Sequence, residues 1–164
     1  MPYAVSSAPV DAAPAGDDDN KVRRNLPLLL LQVREQVLAR FRPVLNAHGV
    51  TEQQYRILRA IEMNESLEPR ELCAICHISS PSLAGVLARM EGLGLVSRTP
   101  HPDDQRRQLV TLTTSSRRLI RSMRPRIDQV YQSLQEDLGP ELAAQTFRTL
   151  GAVLERLAQR EARP

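Results

Sequence analysis

At 164 residues, with 41% apolar and only 3% aromatic side chains and no Trp, the chain has room for one domain, or one domain and a tail, around an aliphatic core. The tetrad Leu28–Leu31 is far too short to span a bilayer, and no apolar segment follows a basic start, so membrane and secretory classes are excluded and a cytoplasmic protein with reduced thiols is expected. Net charge is only +3, but between Ser79 and Arg126 nine arginines face three carboxylates, Glu91, Asp103 and Asp104; basic charge concentrated on one segment suggests a polyanion partner, or for the arginines from Arg117 onward a solvated helical face.

Abundant Leu, Arg and Ala with scarce Gly predict a mainly α chain. Residues 1–25, rich in Ala, Pro and Ser and carrying Asp17-Asp18-Asp19, read as a disordered N-terminal tail. A first helix runs from Leu26 to about Ala47. With Leu30 at zero, Val37, Phe41 and Leu45 fall at about −20°, 20° and 60°, a wide apolar stripe. Pro43 is expected to kink that helix or shift its end, and Gly49 to cap it. Thr51-Glu-Gln-Gln54 is a capping box opening a second helix, Glu52 to about Met63, before a loop at 64–66. A short third helix starts at about Pro69. A fourth begins beyond a cap at Ser79 or Ser80, with Pro81 just inside, and ends at Gly92 and Gly94. Leu95–Thr99 and Gln108–Thr113 alternate as two strands, leaving the eight residues Pro100–Arg107 as a projecting tip. A fifth helix starts at Thr114, bent at Pro125. Gly139-Pro140 breaks it, and a last helix runs from Glu141.

Helix, short helix, helix and two-stranded wing make a winged helix-turn-helix, with a DNA-binding lobe at about 51–113. The flanking helices, about 26–47 and 114–162, are apolar on one side and have too little to pack on in a monomer; intertwining with a second copy would bury them as dimerisation helices. A twofold dimer would set two recognition helices about 34 Å apart, suiting duplex DNA with a palindromic operator.

The fourth helix carries Leu83, Val86, Leu87, Met90 and Leu93 on one stripe and leaves a small polar face of Ser80, Ser82, Gly85 and Arg89. Such a face can approach base edges; Ser80, Pro81 and Ser82 open the helix, where backbone N–H groups favour phosphate, and Arg89 reaches guanine or a phosphate. In the wing, Arg106 suits the minor groove and Arg107 a phosphate, while Asp104 is expected to hold Arg106 in one rotamer through a charge-assisted pair. No phosphate loop, His-Glu-x-x-His or nucleophile elbow is present, so the chain is not expected to be an enzyme and neither metal nor cofactor is predicted.

The run Leu83–Arg98 and the wing Asp104–Thr113, with Asp104 and Arg106 as Asp-x-Arg and Leu112-Thr113 closing the strand, resemble the MarR family of bacterial transcriptional regulators over about residues 26–160. One departure is Ser116, where that family usually carries glycine. Gln32-Val-Arg-Glu35, Phe41-Arg-Pro43 and Val50-Thr-Glu-Gln-Gln-Tyr-Arg56 are similar to the subgroup regulating homoprotocatechuate and related aromatic-acid operons, and equally to a regulator of nicotinate breakdown and exopolysaccharide synthesis. The resemblance implies a homodimeric repressor of a catabolic operon, released from DNA by a small aromatic acid. Arg34 falls at about 40° on the first helix, inside the apolar stripe, where a charge needs a carboxylate from the protein or from a ligand. His48, Tyr55 and Arg56, near the first helix junction, would complete a pocket for a planar acid. Cys73-Ala-Ile-Cys76-His77 spells a haem-attachment pattern, but two small residues packing beside Leu72 explain it; a thiol redox-sensing regulator using Cys73 and Cys76 is the alternative function.

Overall fold

A computed structural model describes residues 25–161. All of the expected tail except Asn25 lies outside the described residues. In chain order the elements are α1 (Leu26–Ala47), α2 (Glu52–Asn64), β1 (Ser66–Leu67), α3 (Pro69–Cys76), α4 (Ser80–Gly92), β2 (Val96–His101), β3 (Asp104–Leu112), α5 (Thr114–Leu138) and α6 (Pro140–Glu161). This is a mainly α winged helix-turn-helix. The described residues divide into two units, 25–36 and 37–161, so α1 contributes to both. In the first, Leu26, Leu28 to Leu31 and Val33 are all exposed.

In the second unit, local signals set the helix ends. Thr51 N–H donates to Gln54 Oε1 at 2.9 Å and Gln54 N–H to Thr51 Oγ1 at 3.2 Å, completing the capping box that starts α2. Helix α1 continues through Pro43 and closes with Gly49 at φ +66°, a left-handed turn that glycine adopts without strain. Thr113 caps α5 by accepting from Ser116 N–H at 3.1 Å. Ser116 is fully buried and its hydroxyl donates to Thr113 O at 3.0 Å, so serine fills the position where the family usually has glycine. Pro125 lies inside α5 without interrupting it.

The core is aliphatic. Ile57, Leu58 and Ile61 of α2, Leu72 of α3, Leu83, Leu87 and Met90 of α4, Val110 of β3 and Met123 of α5 are essentially inaccessible. That packing leaves the opposite face of α4 outward.

The wing differs from expectation in two ways. Its strands are longer, meeting at a two-residue turn, Pro102-Asp103, rather than an eight-residue tip. Pairing continues through Pro100↔Gln108 because β2 is the sheet edge, where a missing N–H costs no ladder bond. A register shift follows between Pro100 and His101. Secondly, part of the expected loop at 64–66 is strand: β1 pairs Ser66↔Thr111 and Leu67↔Val110, giving the sheet order β1-β3-β2. Two residues show no alternation of their own; β1 forms because β3 offers it an edge.

Candidate nucleic-acid interface

Helix α4 buries Leu83, Val86, Leu87 and Met90 and exposes Ser80, Pro81, Ser82 and Arg89, with Gly85 between them. Ser79 occupies the cap position, but its hydroxyl donates to Ser82 Oγ at 3.0 Å and makes no bond to the helix N–H groups. The first turn therefore keeps backbone donors for an anion. Arg89 folds back one turn along the exposed face: a Cβ on Gly85 would stand 3.6 Å from Arg89 Nη1. That is ordinary contact, so Gly85→Ala is expected to fit and to raise stability by about 0.5–1 kcal/mol through helix propensity. Thermal denaturation checks it; a lowered Tm would mean the methyl is not accommodated.

The wing is held to the helices at two points. On β2, Arg98 Nε and Nη2 meet Glu91 Oε2 of α4 at 3.0 and 2.7 Å. On β3, Arg107 Nε donates to Glu68 Oε2 at 3.1 Å and Nη2 to Oε1. Glu68 is buried and caps α3, its N–H donating to Glu71 Oε2 at 2.7 Å. The Arg107 hydrogen bond holds its carboxyl below the ordinary carboxylate range against the opposing effect of burial, helped by the charges of Arg107, Arg70 and His101. A lowered value keeps the pair charged at neutral pH; its contribution disappears only as pH falls through that lowered value.

Two wing expectations change. Arg107, expected on a phosphate, is engaged within the protein. Asp104 does not grip the Arg106 guanidinium; its Oδ1 accepts from the Arg106 backbone N–H at 2.9 Å. An aspartate two residues back reaches the main chain more easily than the end of a long side chain, and so shapes the tip. Arg106 is exposed, and among the described residues no ion pair or hydrogen bond is recorded for its guanidinium.

The residues expected to form the acid pocket divide between the two units, Arg34 in the first and His48, Tyr55 and Arg56 in the second. Arg34 belongs to the first unit, where its Nη1 donates to Glu35 Oε1 at 2.8 Å with the side chain 46% exposed. Phe41 and Leu45 of the expected stripe are buried, but the apolar residues around Arg34 from Leu26 to Val33 are exposed, so the predicted burial cost does not arise at Arg34. His48 Nδ1 contacts Val44 O at 2.9 Å. Tyr55 and Arg56 diverge, because consecutive helical residues point about 100° apart. Arg56 Nη1 donates to Cys76 O at 2.9 Å and lines, with Arg89, a cleft of about 390 Å³ between α2 and α4. Tyr55 is half-buried, and that burial pushes its hydroxyl up despite Arg59. Sequence reasoning missed Tyr131, whose ring meets Phe41 edge-on at 5.1 Å. It also missed a groove of about 440 Å³ between α1 and α5, flanked by Arg40 and Arg126. Glu68, the partner of Arg107, was missed too.

Both cysteines are free thiols. Cys76 is fully buried beside Leu72, and burial pushes its thiol up, away from the reactive thiolate. Cys73 is half-buried, its Sγ 3.6 Å from Ser80 Oγ. Among the described residues no single helix is long and apolar enough to cross a membrane.

The sequence pattern of the MarR family matches residues 48–107, from the end of α1 to the wing. The homoprotocatechuate degradative operon repressor of Escherichia coli is 35% identical over 126 residues, 77% of this chain and 85% of that protein. The chain belongs to the MarR family. Its relatives are named as transcriptional regulators and repressors. Among solved MarR-type structures, NadR in complex with 4-hydroxyphenylacetate superposes with a TM-score of 0.67 at 32% identity, covering 92% of this chain and 98% of NadR. A mutant of MarR from E. coli complexed with operator DNA gives 0.73 at 25% identity, covering 81% and 97%.

Proposed function

We propose that this MarR-family protein is a cytoplasmic homodimeric repressor that binds a palindromic operator and leaves it when a small aromatic carboxylic acid binds. The observation that carries the reading is the outward face of α4, with its uncapped first turn and Arg89 lying over Gly85, together with the exposed Arg106 of the wing. Ser80, Ser82 and Arg89 would meet the major groove and Arg106 the minor groove. The acid class is supported by the two relatives whose names specify homoprotocatechuate and 4-hydroxyphenylacetate. Within the second unit we place its ring near Tyr55 and the Phe41–Tyr131 pair, and its carboxylate near Arg40 and Arg126. The thiol-sensing alternative rests on Cys73 beside Ser80 alone.

The test is fluorescence anisotropy of a labelled duplex from upstream of the protein's own gene. Binding is expected to weaken steeply with salt and at least tenfold further with 4-hydroxyphenylacetate or a related hydroxylated acid. No response across hydroxyphenyl and pyridine acids removes the sensing part of the proposal.

A further inference from the structure

Glu68 puts a negative charge in a DNA-binding lobe, which on charge alone should weaken binding to a polyanion. Its surroundings argue the opposite role. It caps α3, follows directly on β1, and takes both arms of Arg107 from a strand 39 residues away. Arg106 and Arg107 are neighbours in the stretch 105–107 that the register shift leaves without partners on β2, and there Arg107 is half-buried while Arg106 is exposed. With no ladder bond to β2 to fix this stretch, the tie from Arg107 to Glu68 is what anchors it, and Arg106 beside it is left facing outward. Asp104 fixes the same segment by accepting from the Arg106 backbone, and Arg98–Glu91 fixes the other strand.

We infer that Glu68 is a positioning residue for DNA recognition: through Arg107 it aims Arg106 at the duplex, so this carboxylate strengthens binding. The inference rests on the DNA-binding reading and adds to it a residue that does not touch DNA.

The experiment is a double-mutant cycle on the full chain, read by anisotropy with a duplex that the parental protein selects from a random pool. Salt is set low enough to measure the weakest variant. Parental binding reports on DNA recognition itself; the cycle reports on Glu68. Glu68→Gln is expected to weaken binding about tenfold in the parental background and less than twofold when Arg106 is already alanine, because the residue it aims is gone. Glu68→Asp, which keeps the acceptor, should recover part of the loss. Arg107→Gln breaks the same pair from the wing side and should repeat the pattern, which keeps the test open if Glu68→Gln does not fold. Binding by Glu68→Gln, or by Arg107→Gln, as tight as or tighter than the parent overturns the inference. So does an equal loss in both backgrounds, since a merely structural role would make the two effects add.

Discussion

Leu154→Asp is expected to convert the protein to a monomer and to weaken operator binding by at least a hundredfold. Helix α6 leaves Leu142, Phe147, Leu150, Val153, Leu154 and Leu157 exposed, Phe147 and Leu154 by about two thirds, and of its large stripe none is fully covered. An apolar stripe at 147, 150, 154 and 157 marks a face built for a partner. Burying one such side chain is worth about 1.5–3 kcal/mol, and a twofold interface uses each position twice. An aspartate at the centre of that stripe replaces two burials with two desolvated carboxylates, each costing several kcal/mol. A monomer reads one half-site, so DNA affinity falls with assembly. Sedimentation velocity and anisotropy on the same sample check both halves. Met63→Asp, at a 76% exposed apolar position on α2, is the control and should leave the dimer intact. A dimeric Leu154→Asp would mean that α6 is not the interface.

How much of this was legible in the sequence follows the range of the interaction. The capping box at Thr51 and Gln54 spans four residues, and the start of α2 followed from it. The burial of Leu83, Val86, Leu87 and Met90 on α4 followed from their apolar spacing, because one face of one helix decides it; Leu93, expected on the same stripe, sits past the helix end as its cap and is 63% exposed. The length of the wing did not follow: pairing at Pro100↔Gln108 depends on register with a distant strand, and β1 exists only because β3, paired to β2 along one edge, offers Val110 and Thr111 on its other edge. Arg107 read as a phosphate ligand because its partner, Glu68, is remote in sequence and looks like an ordinary helix-opening acid. The aromatic contact between Phe41 and Tyr131 joins helices ninety positions apart, which no local pattern reveals. The grouping of Tyr55 with Arg56 was a different failure. Helical geometry separates adjacent side chains, and applying it would have divided them.

Arg106→Ala is expected to weaken operator binding at least about thirtyfold while leaving fold and dimer unchanged. Arg106 is exposed beside the tip, and among the described residues no protein group is recorded holding its guanidinium; removing it opens no cavity and leaves no buried charge. Its effect is therefore confined to DNA. A direct arginine contact is worth about 1–3 kcal/mol, and a twofold dimer makes it twice, so about 2 kcal/mol, or thirtyfold, is the lower bound. The salt dependence carries independent information. Each phosphate neutralised contributes about one unit to the slope of log K against log salt, so losing one contact per half-site should flatten it by about two. If affinity falls with no change in slope, Arg106 reads bases without neutralising phosphate. If neither moves, the tip does not reach the duplex, and recognition belongs to α4 alone. A Tm equal to the parent's excludes damage to the wing, because Arg98–Glu91 and Arg107–Glu68 hold both strands without Arg106.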